Sequence, residues 1–411
     1  MEQKKAPYYL GIDLSDHYAM ISYYQLNNKE PDTLSTVAGS EHYRIPVVLA
    51  KRKNLGQWYY GDEARKMAKS CEMICVDNLV RRAVAREQIR IEDEVYEGLD
   101  LLTLYIRKLL ELPAKLGNST EYDKLVLTVE KLNRENMEVF WEVAAKLGIS
   151  KERFMVIDHK ESFYYFALSQ EEALRLHDIY LFEGENEDLH YYSLKRDIHT
   201  TPQVVNIHES GRFSLSGAKD AQFLHVLEKA FENRIISSVY LVGDIFEGDW
   251  MSQSLNYLCR GRRAFLGQNL FSKGACYAAK AQDMEENWPY IYMGENEMKF
   301  NLSLKVKSKG DVAFYTLISA GRNWFETRGE CEVILCGDTS VDFWKQLPNS
   351  REAKIETLDL TDLPRRPDKT TRLRITAIPA SDDQINIEIK DLGFGELFKA
   401  TNKVWKYSMT M

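Results

Sequence analysis

Tyr8-Tyr9-Leu10-Gly11-Ile12-Asp13-Leu14-Ser15-Asp16 is the stretch on which the fold turns. An apolar run meets a Gly, then an Asp set between Ile and Leu, and then polar turn residues. Tyr18-Ala19-Met20-Ile21-Ser22-Tyr23-Tyr24 follows as a second apolar run, so the pair reads as a β-hairpin with a carboxylate at its turn. A Gly within such a strand lets backbone or ligand come close, and an Asp at the turn can order water around a cation. Turn carboxylates held by backbone N–H groups give the same pattern, so Asp13 and Asp16 carry both readings.

Outward from the hairpin, strand and helix signals alternate. Leu125-Val126-Leu127-Thr128-Val129 and Phe154-Met155-Val156-Ile157 are short apolar runs, as in strands buried on both faces. Helical spacing covers Leu99 to Leu112 and Arg134 to Leu147, the second stopped by Gly148, and helix returns over Glu161 to Leu168. The stripe Leu101, Leu104, Tyr105 and Leu109 reads as helix core. Ile179-Tyr180-Leu181-Phe182 opens a second series: a return strand over Leu189–Leu194, a helix over Phe223–Phe231, a strand from Ser238 to Gly243, and helices over Trp250–Leu258 and Ser272–Ala281. This order predicts an α/β domain over residues 1–286, with one lobe to about residue 175 and another over 176–286.

Beyond Trp288-Pro289 the pattern changes to strands, several strictly alternating. Lys299 to Val306, Phe314–Ile318, Cys331–Cys336, Ile355–Leu360, Leu373–Ile378 and Ile385–Ile389 are separated by turn signals. They predict an all-β sandwich over residues 290–411. The fold class expected is therefore α/β followed by all-β.

The chain has 411 residues, 44% apolar and 28% charged, which suits a globular protein of two or three domains. A net charge of −8 disfavours nucleic acid as main partner, although Arg260-Gly261-Arg262-Arg263 forms a local basic patch, otherwise a solvated loop. No run of about 18 apolar residues offers a membrane span. The six cysteines lack zinc spacing. Cys71 and Cys75 are spaced to share a helix face, and buried reduced thiols are the expectation. Together with an N-terminus that leads into a strand, this predicts a cytoplasmic protein. The eight His are scattered, and no Ser or Cys sits in a nucleophile elbow. Gly321-Arg322-Asn323-Trp324-Phe325 places aromatics after a strand, for core packing or for a partner.

In their order these segments resemble the seventy-kilodalton heat-shock chaperones of the DnaK type, whose ATPase domain is actin-like. That family opens with Gly-Ile-Asp-Leu-Gly-Thr-Thr, similar to Gly11-Ile12-Asp13-Leu14-Ser15-Asp16-His17. Its Pro-Ser-Val-Val and Gly-Glu-Glu-Ala resemble Pro46-Val47-Val48 and Gly61-Asp62-Glu63-Ala64. Its Ile-Thr-Val-Pro resembles Leu127-Thr128-Val129-Glu130, its Val-Leu-Val-Gly-Gly resembles Tyr240-Leu241-Val242-Gly243-Asp244, and its late Gly-Ala-Ala helix resembles Gly274-Ala275-Cys276. Leu358-Asp359-Leu360-Thr361-Asp362-Leu363-Pro364, with Leu373 to Thr376, Ile385 to Ile389 and Lys390-Asp391, is similar to the family's peptide-binding sandwich.

The resemblance implies an ATP or ADP site with Mg. Gly11, Asp13, Ser15, Asp16, Gly184, Gly243 and Asp244 would line it, Asp13 would face the metal, and Asp13 and Glu161 are the candidate catalytic residues. The departures fall on these same positions. The second phosphate loop, Asp-Leu-Gly-Gly-Gly-Thr in the family, is Phe182-Glu183-Gly184-Glu185-Asn186-Glu187-Asp188 here. A phosphate loop works by bare backbone N–H groups. A carboxylate about 5 Å from a phosphate charge costs about 3 kcal/mol at an effective dielectric near 20. The same residues also read as an acidic, solvated turn. The family's catalytic Lys has no counterpart near Val76-Asp77-Asn78-Leu79. Glu161 matches the Glu of its Asn-Glu-Pro segment only with a register shift. The adenosine loop loses its second Gly, the span from Leu194 to Ser237 is short for a base-clamping subdomain, and the acidic-leucine linker is replaced by Trp288-Pro289-Tyr290. The expectation is a degenerate nucleotide site on a non-catalytic module that binds a protein or peptide. The alternative is an ATP-hydrolysing chaperone with altered loops.

Overall fold

The computed structural model describes residues 6–25, 27–37, 39–70, 72–116, 121–283, 288–308 and 310–411. It mixes helices and sheets and divides into two compact units. One comprises the chain to Lys195 together with Ile207–Trp288, and the other comprises Arg196–Asn206 and Pro289–Met411.

The first unit is built from two sheets with one plan. In the first, the order is Phe154–Asp158, Lys124–Val129, Tyr8–Leu14, Tyr18–Gln25. The last two form an antiparallel hairpin, and the other two join parallel to it. The second sheet repeats this order with Arg263–Leu266, Ile236–Val242, Asp178–Glu185 and Asp188–Asp197. Tyr8–Leu14 is buried at all seven positions, which accounts for its unbroken apolar run. The phenylalanines Phe182, Phe223, Phe231 and Phe246 pack beneath the second sheet with helices Lys219–Ala230 and Ser252–Leu258.

Helix Leu270–Asp283 packs on the first hairpin and against helix His159–Leu168. Two glycines permit this closeness. A Cβ on Gly11 would collide with the carbonyl oxygen of Ser272, and one on Gly274 with that of Ser162. Ser162 Oγ donates to the Phe271 carbonyl at 2.6 Å across the helix crossing. Insertions to the first sheet supply a three-stranded sheet of Trp58–Tyr60, Val48–Arg52 and Met73–Asp77, and the hairpin Gln88–Ile91 with Glu94–Glu97. Cys75 therefore lies on a strand and shares no helix face; Cys71 lies outside the described residues. Helix Gly98–Leu110 buries Leu101, Tyr105 and Leu109, with Leu104 half-buried, as its spacing requires.

The second unit carries two four-stranded antiparallel sheets around one core. Their orders are Asp311–Ile318, Asn301–Ser308, Ser340–Gln346, Ala353–Asp359 and Gly329–Ile334, Arg372–Pro379, Gln384–Gly393, Val404–Thr410. Phe300, Leu302, Leu304 and Phe343 meet Leu373, Ile375, Ile385, Ile387 and Ile389 between them. The buried Asp391 is clamped by Arg366 through two 2.8 Å bonds and accepts from Gly393 N, Thr401 N and Thr401 Oγ1. Trp324 packs against this core beside Phe325, their ring centres 4.2 Å apart. Gln203–Val205 pairs parallel with Tyr290–Tyr292.

Candidate functional site

Asp13 and Glu183 hold the same place in the two repeats: each is the sixth residue of the first hairpin strand. Asp13 is fully buried beside Thr128 on the parallel neighbour. Between the two carboxylates stands His159, the first residue of its helix. Asp158 caps that helix by accepting from Glu161 N at 2.8 Å, which fixes where the imidazole leaves the chain. The ring lies flat on Phe271, with centres 3.8 Å apart and planes 8° off parallel. His159 Nε2 donates to Asp13 Oδ1 at 2.8 Å, and Nδ1 stands 3.6 Å from Glu183 Oε1. Directly opposite Glu183 in the hairpin is His190, whose Nε2 lies 3.3 Å from Glu183 Oε2 and 2.9 Å from the Tyr192 hydroxyl.

The electrostatics follow from this geometry. Burial alone would push the His159 imidazole down, but Asp13 and Glu183 outweigh it and raise it to about 10. Burial would raise Glu183, but the two histidines hold it at about 2. Burial, then Asp13 and Glu183, keeps the Tyr18 phenol well above its ordinary value, with the Arg44 guanidinium 4.8 Å above its ring. His159 is thus an imidazolium at neutral pH. It has no free lone pair, so it cannot serve as a general base there.

The glycines and turn residues expected to line a nucleotide site have other duties. Gly11 admits helix Leu270–Asp283 rather than a ligand. Gly243 admits the backbone of Gly184, since a Cβ on it, at φ +116°, would overlap the Gly184 carbonyl oxygen, and Gly184 admits the Ile245 side chain, which would lie 2.5 Å from a Cβ there. Ser15 Oγ closes its own turn, accepting from His17 N and Tyr18 N. Asp16 accepts from Arg81 N at 3.0 Å. Asp244 accepts from Asn186 N at 2.9 Å and braces the acidic turn. Glu161 supplies the backbone donor to Asp158. Of the three glutamates in the second loop, Glu183 reaches the cluster, while Glu185 and Glu187 are exposed on the turn. The solvated-turn reading thus describes Glu185 and Glu187, and Glu183 is an interior partner.

His159 and His190 carry the site and were missed as site residues in the sequence. The available signals were the cap pattern Asp158-His159-Lys160-Glu161 and the place of His190 opposite Glu183 in a two-residue hairpin.

The cluster also tests the Mg-nucleotide that the resemblance implies. Asp13 is already paired with His159, and the space beside Gly11, Gly184 and Gly243 is filled by the chain's own atoms, so these residues do not fit the group. Among the described residues, no set of three His, Cys, Asp or Glu has metal-binding placement. No helix among them is long and apolar enough to cross a membrane.

Fold and site together define a mixed α/β protein with a duplicated hairpin sheet, an interior imidazolium between matched carboxylates, and a β-sandwich. The chain belongs to a family of unknown function, DUF5716, whose C-terminal model matches residues 30–295. A domain of unknown function, DUF8552, matches residues 297–411. No curated protein matches the chain.

Proposed function

We propose that this chain is a non-catalytic protein-interaction module on the actin-like frame of the seventy-kilodalton heat-shock chaperones. Two features support the frame. The hairpin-plus-parallel-strand sheet occurs twice in succession, and a two-sheet β sandwich follows. The loss of catalysis is carried by one observation: His159 pairs with Asp13, the residue that the resemblance assigns to the metal. Phosphoryl transfer needs positioned positive charge at the phosphates. Here the imidazole of His159 is already committed to two carboxylates, and the space beside Gly11, Gly184 and Gly243 is taken by the chain's own atoms. The module would bind a protein or peptide through its fixed surfaces, with no nucleotide cycle.

Isothermal calorimetry of the full chain with Mg-ATP and Mg-ADP tests the reading. No binding heat and no turnover above background are expected. Hydrolysis that disappears in Asp13→Ala would overturn it.

A further inference from the structure

The basic run Arg260-Gly261-Arg262-Arg263 leads into the strand Arg263–Leu266, which is an edge of its sheet. The three arginines differ. Arg262 lies over the rings of Phe231 and Tyr257, at 4.6 and 5.2 Å, and is structural. Arg260 and Arg263 are exposed, and among the described residues neither side chain has an ion-pair or hydrogen-bond partner. Among the described residues the strand pairs, in parallel, with Ile236–Val242 on one side only, and Gly267 N donates to the Leu241 carbonyl. By the two-residue alternation of a strand, Phe265 shares the inward bonding of Gly267, while Ala264 and Leu266 turn their N–H and C=O groups outward. Phe265 is 38% exposed and stacks on Tyr240; Leu266 is 63% exposed, and Leu255 on the adjoining helix is 43% exposed. This joins free main-chain groups, apolar side chains and two uncommitted guanidiniums.

We propose that this edge is the docking site for an extended acidic–apolar segment of a partner protein, which adds to the sheet as a further strand. Main-chain groups of Ala264 and Leu266 would pair with the segment, Phe265 and Leu266 would receive its apolar residues, and Arg260 and Arg263 would receive its carboxylates. Charge selects the occupant. Two arginines bar a basic strand and a second copy of the same edge, because like charges across a strand pair repel. A nucleic acid is disfavoured by the exposed apolar residues and by the chain's net charge of −8. The proposal uses neither Asp13, His159 nor Glu183, so peptide binding at this edge and a nucleotide response at the cluster are read separately.

Fluorescence anisotropy on the full chain tests the proposal. The probe is a labelled Glu-Glu-Val-Thr-Val-Thr-Val peptide, titrated to about 1 mM. Controls are the same peptide with Lys for Glu and a single-stranded oligodeoxynucleotide. The acidic peptide is expected to bind and the basic one not. R260E/R263E should weaken the acidic peptide at least about fivefold, because it reverses two exposed charges. Leu266→Pro should abolish binding and leave the melting temperature unchanged, since it removes an outward N–H that the sheet does not use. Amide exchange at Ala264 and Leu266 should slow when the acidic peptide is bound. No binding by the acidic peptide, equal binding by both variants, or tighter binding of the oligonucleotide would each overturn the proposal.

Discussion

Replacing His159 by Gln removes one charge from an interior that keeps two. Asp13 stays fully buried, and Glu183 loses one of its two imidazole partners and keeps His190 at 3.3 Å. Breaking a buried ion pair on one side costs about 3–5 kcal/mol, because the remaining charge is left without a partner. Linkage gives a second figure of the same size. His159 rises from an ordinary 6.5 to about 10, a difference equivalent to about 5 kcal/mol at roughly 1.4 kcal/mol per unit. The sign is that of a raised base: the stabilisation is fully present below 6.5 and is lost as pH climbs through 10. Glu183 works in the opposite sense, from 4.5 down to about 2, so its share is present above 4.5 and vanishes as pH falls through 2.

Hydrogen exchange by mass spectrometry, read on peptides covering Tyr8–Gln25 and His159–Leu168, isolates this region from the sandwich. In H159Q the opening free energy should fall by about 3–5 kcal/mol at pH 6.5 relative to the parent protein. The gap should close as pH approaches 10, where the parent has lost the same charge. Adding Asp13→Asn to H159Q should restore part of the loss, since a buried amide costs less than an unpaired carboxylate. A gap below about 1 kcal/mol at pH 6.5, or one that does not change with pH, would refute the ion-pair account.

Three further outcomes are expected. Residues 297–411 expressed alone should give an all-β circular dichroism spectrum and a cooperative melt, because every residue of the sandwich core lies within them; a disordered spectrum would show that the core does not suffice. Arg366→Ala should lower the stability of the sandwich by about 3–5 kcal/mol in denaturant titrations, since it strands the buried Asp391, whereas Lys403→Ala, at an exposed pair with Asp362, should cost about 1 kcal/mol or less. Gly243→Ala should destabilise the first unit far more than Gly248→Ala, because only the former places a Cβ into backbone, and equal melting temperatures would contradict the packing.

Much of the architecture was legible because burial leaves a period. Lys124–Val129 is buried at five of six positions and read as an unbroken apolar run, and Arg372–Pro379 alternates as a half-buried strand should. The strand Ser340–Gln346 did not stand out, because Lys345 takes an inward position that apolar residues normally fill; its ammonium is held by Glu356 and the Thr410 carbonyl. Val404–Thr410 does alternate, with Trp405 and Met409 buried and Lys406 and Ser408 exposed, so its period was present in the sequence and was passed over. Arg263–Leu266 is four residues long and begins in the basic run, so it read as loop. The site was less legible than the sheets. Gly11, Gly184 and Gly243 announce that something comes close, yet only the folded chain tells whether the visitor is a ligand or the protein's own backbone. His159 meets Asp13 across 146 residues of sequence, a distance over which no local pattern operates.

The cluster also bears on how such a module behaves. Two matched carboxylates, one from each repeat, would repel across a shared interior if nothing stood between them. In a switching protein a bound cation or ligand can settle that repulsion, and its arrival then shifts the balance between arrangements. Here His159 settles it from within, braced by Phe271 on its face and by the helix cap at Asp158. A ligand that finds no differential interaction with two arrangements shifts nothing, however concentrated it is. On the proposed reading the first unit is therefore held in one arrangement by its own side chain. Millimolar Mg-ATP should leave amide exchange in Tyr8–Gln25 and Asp178–Asp197 unchanged in the parent protein. A nucleotide-dependent slowing there would mean that the imidazolium yields its place, and that the first unit still switches.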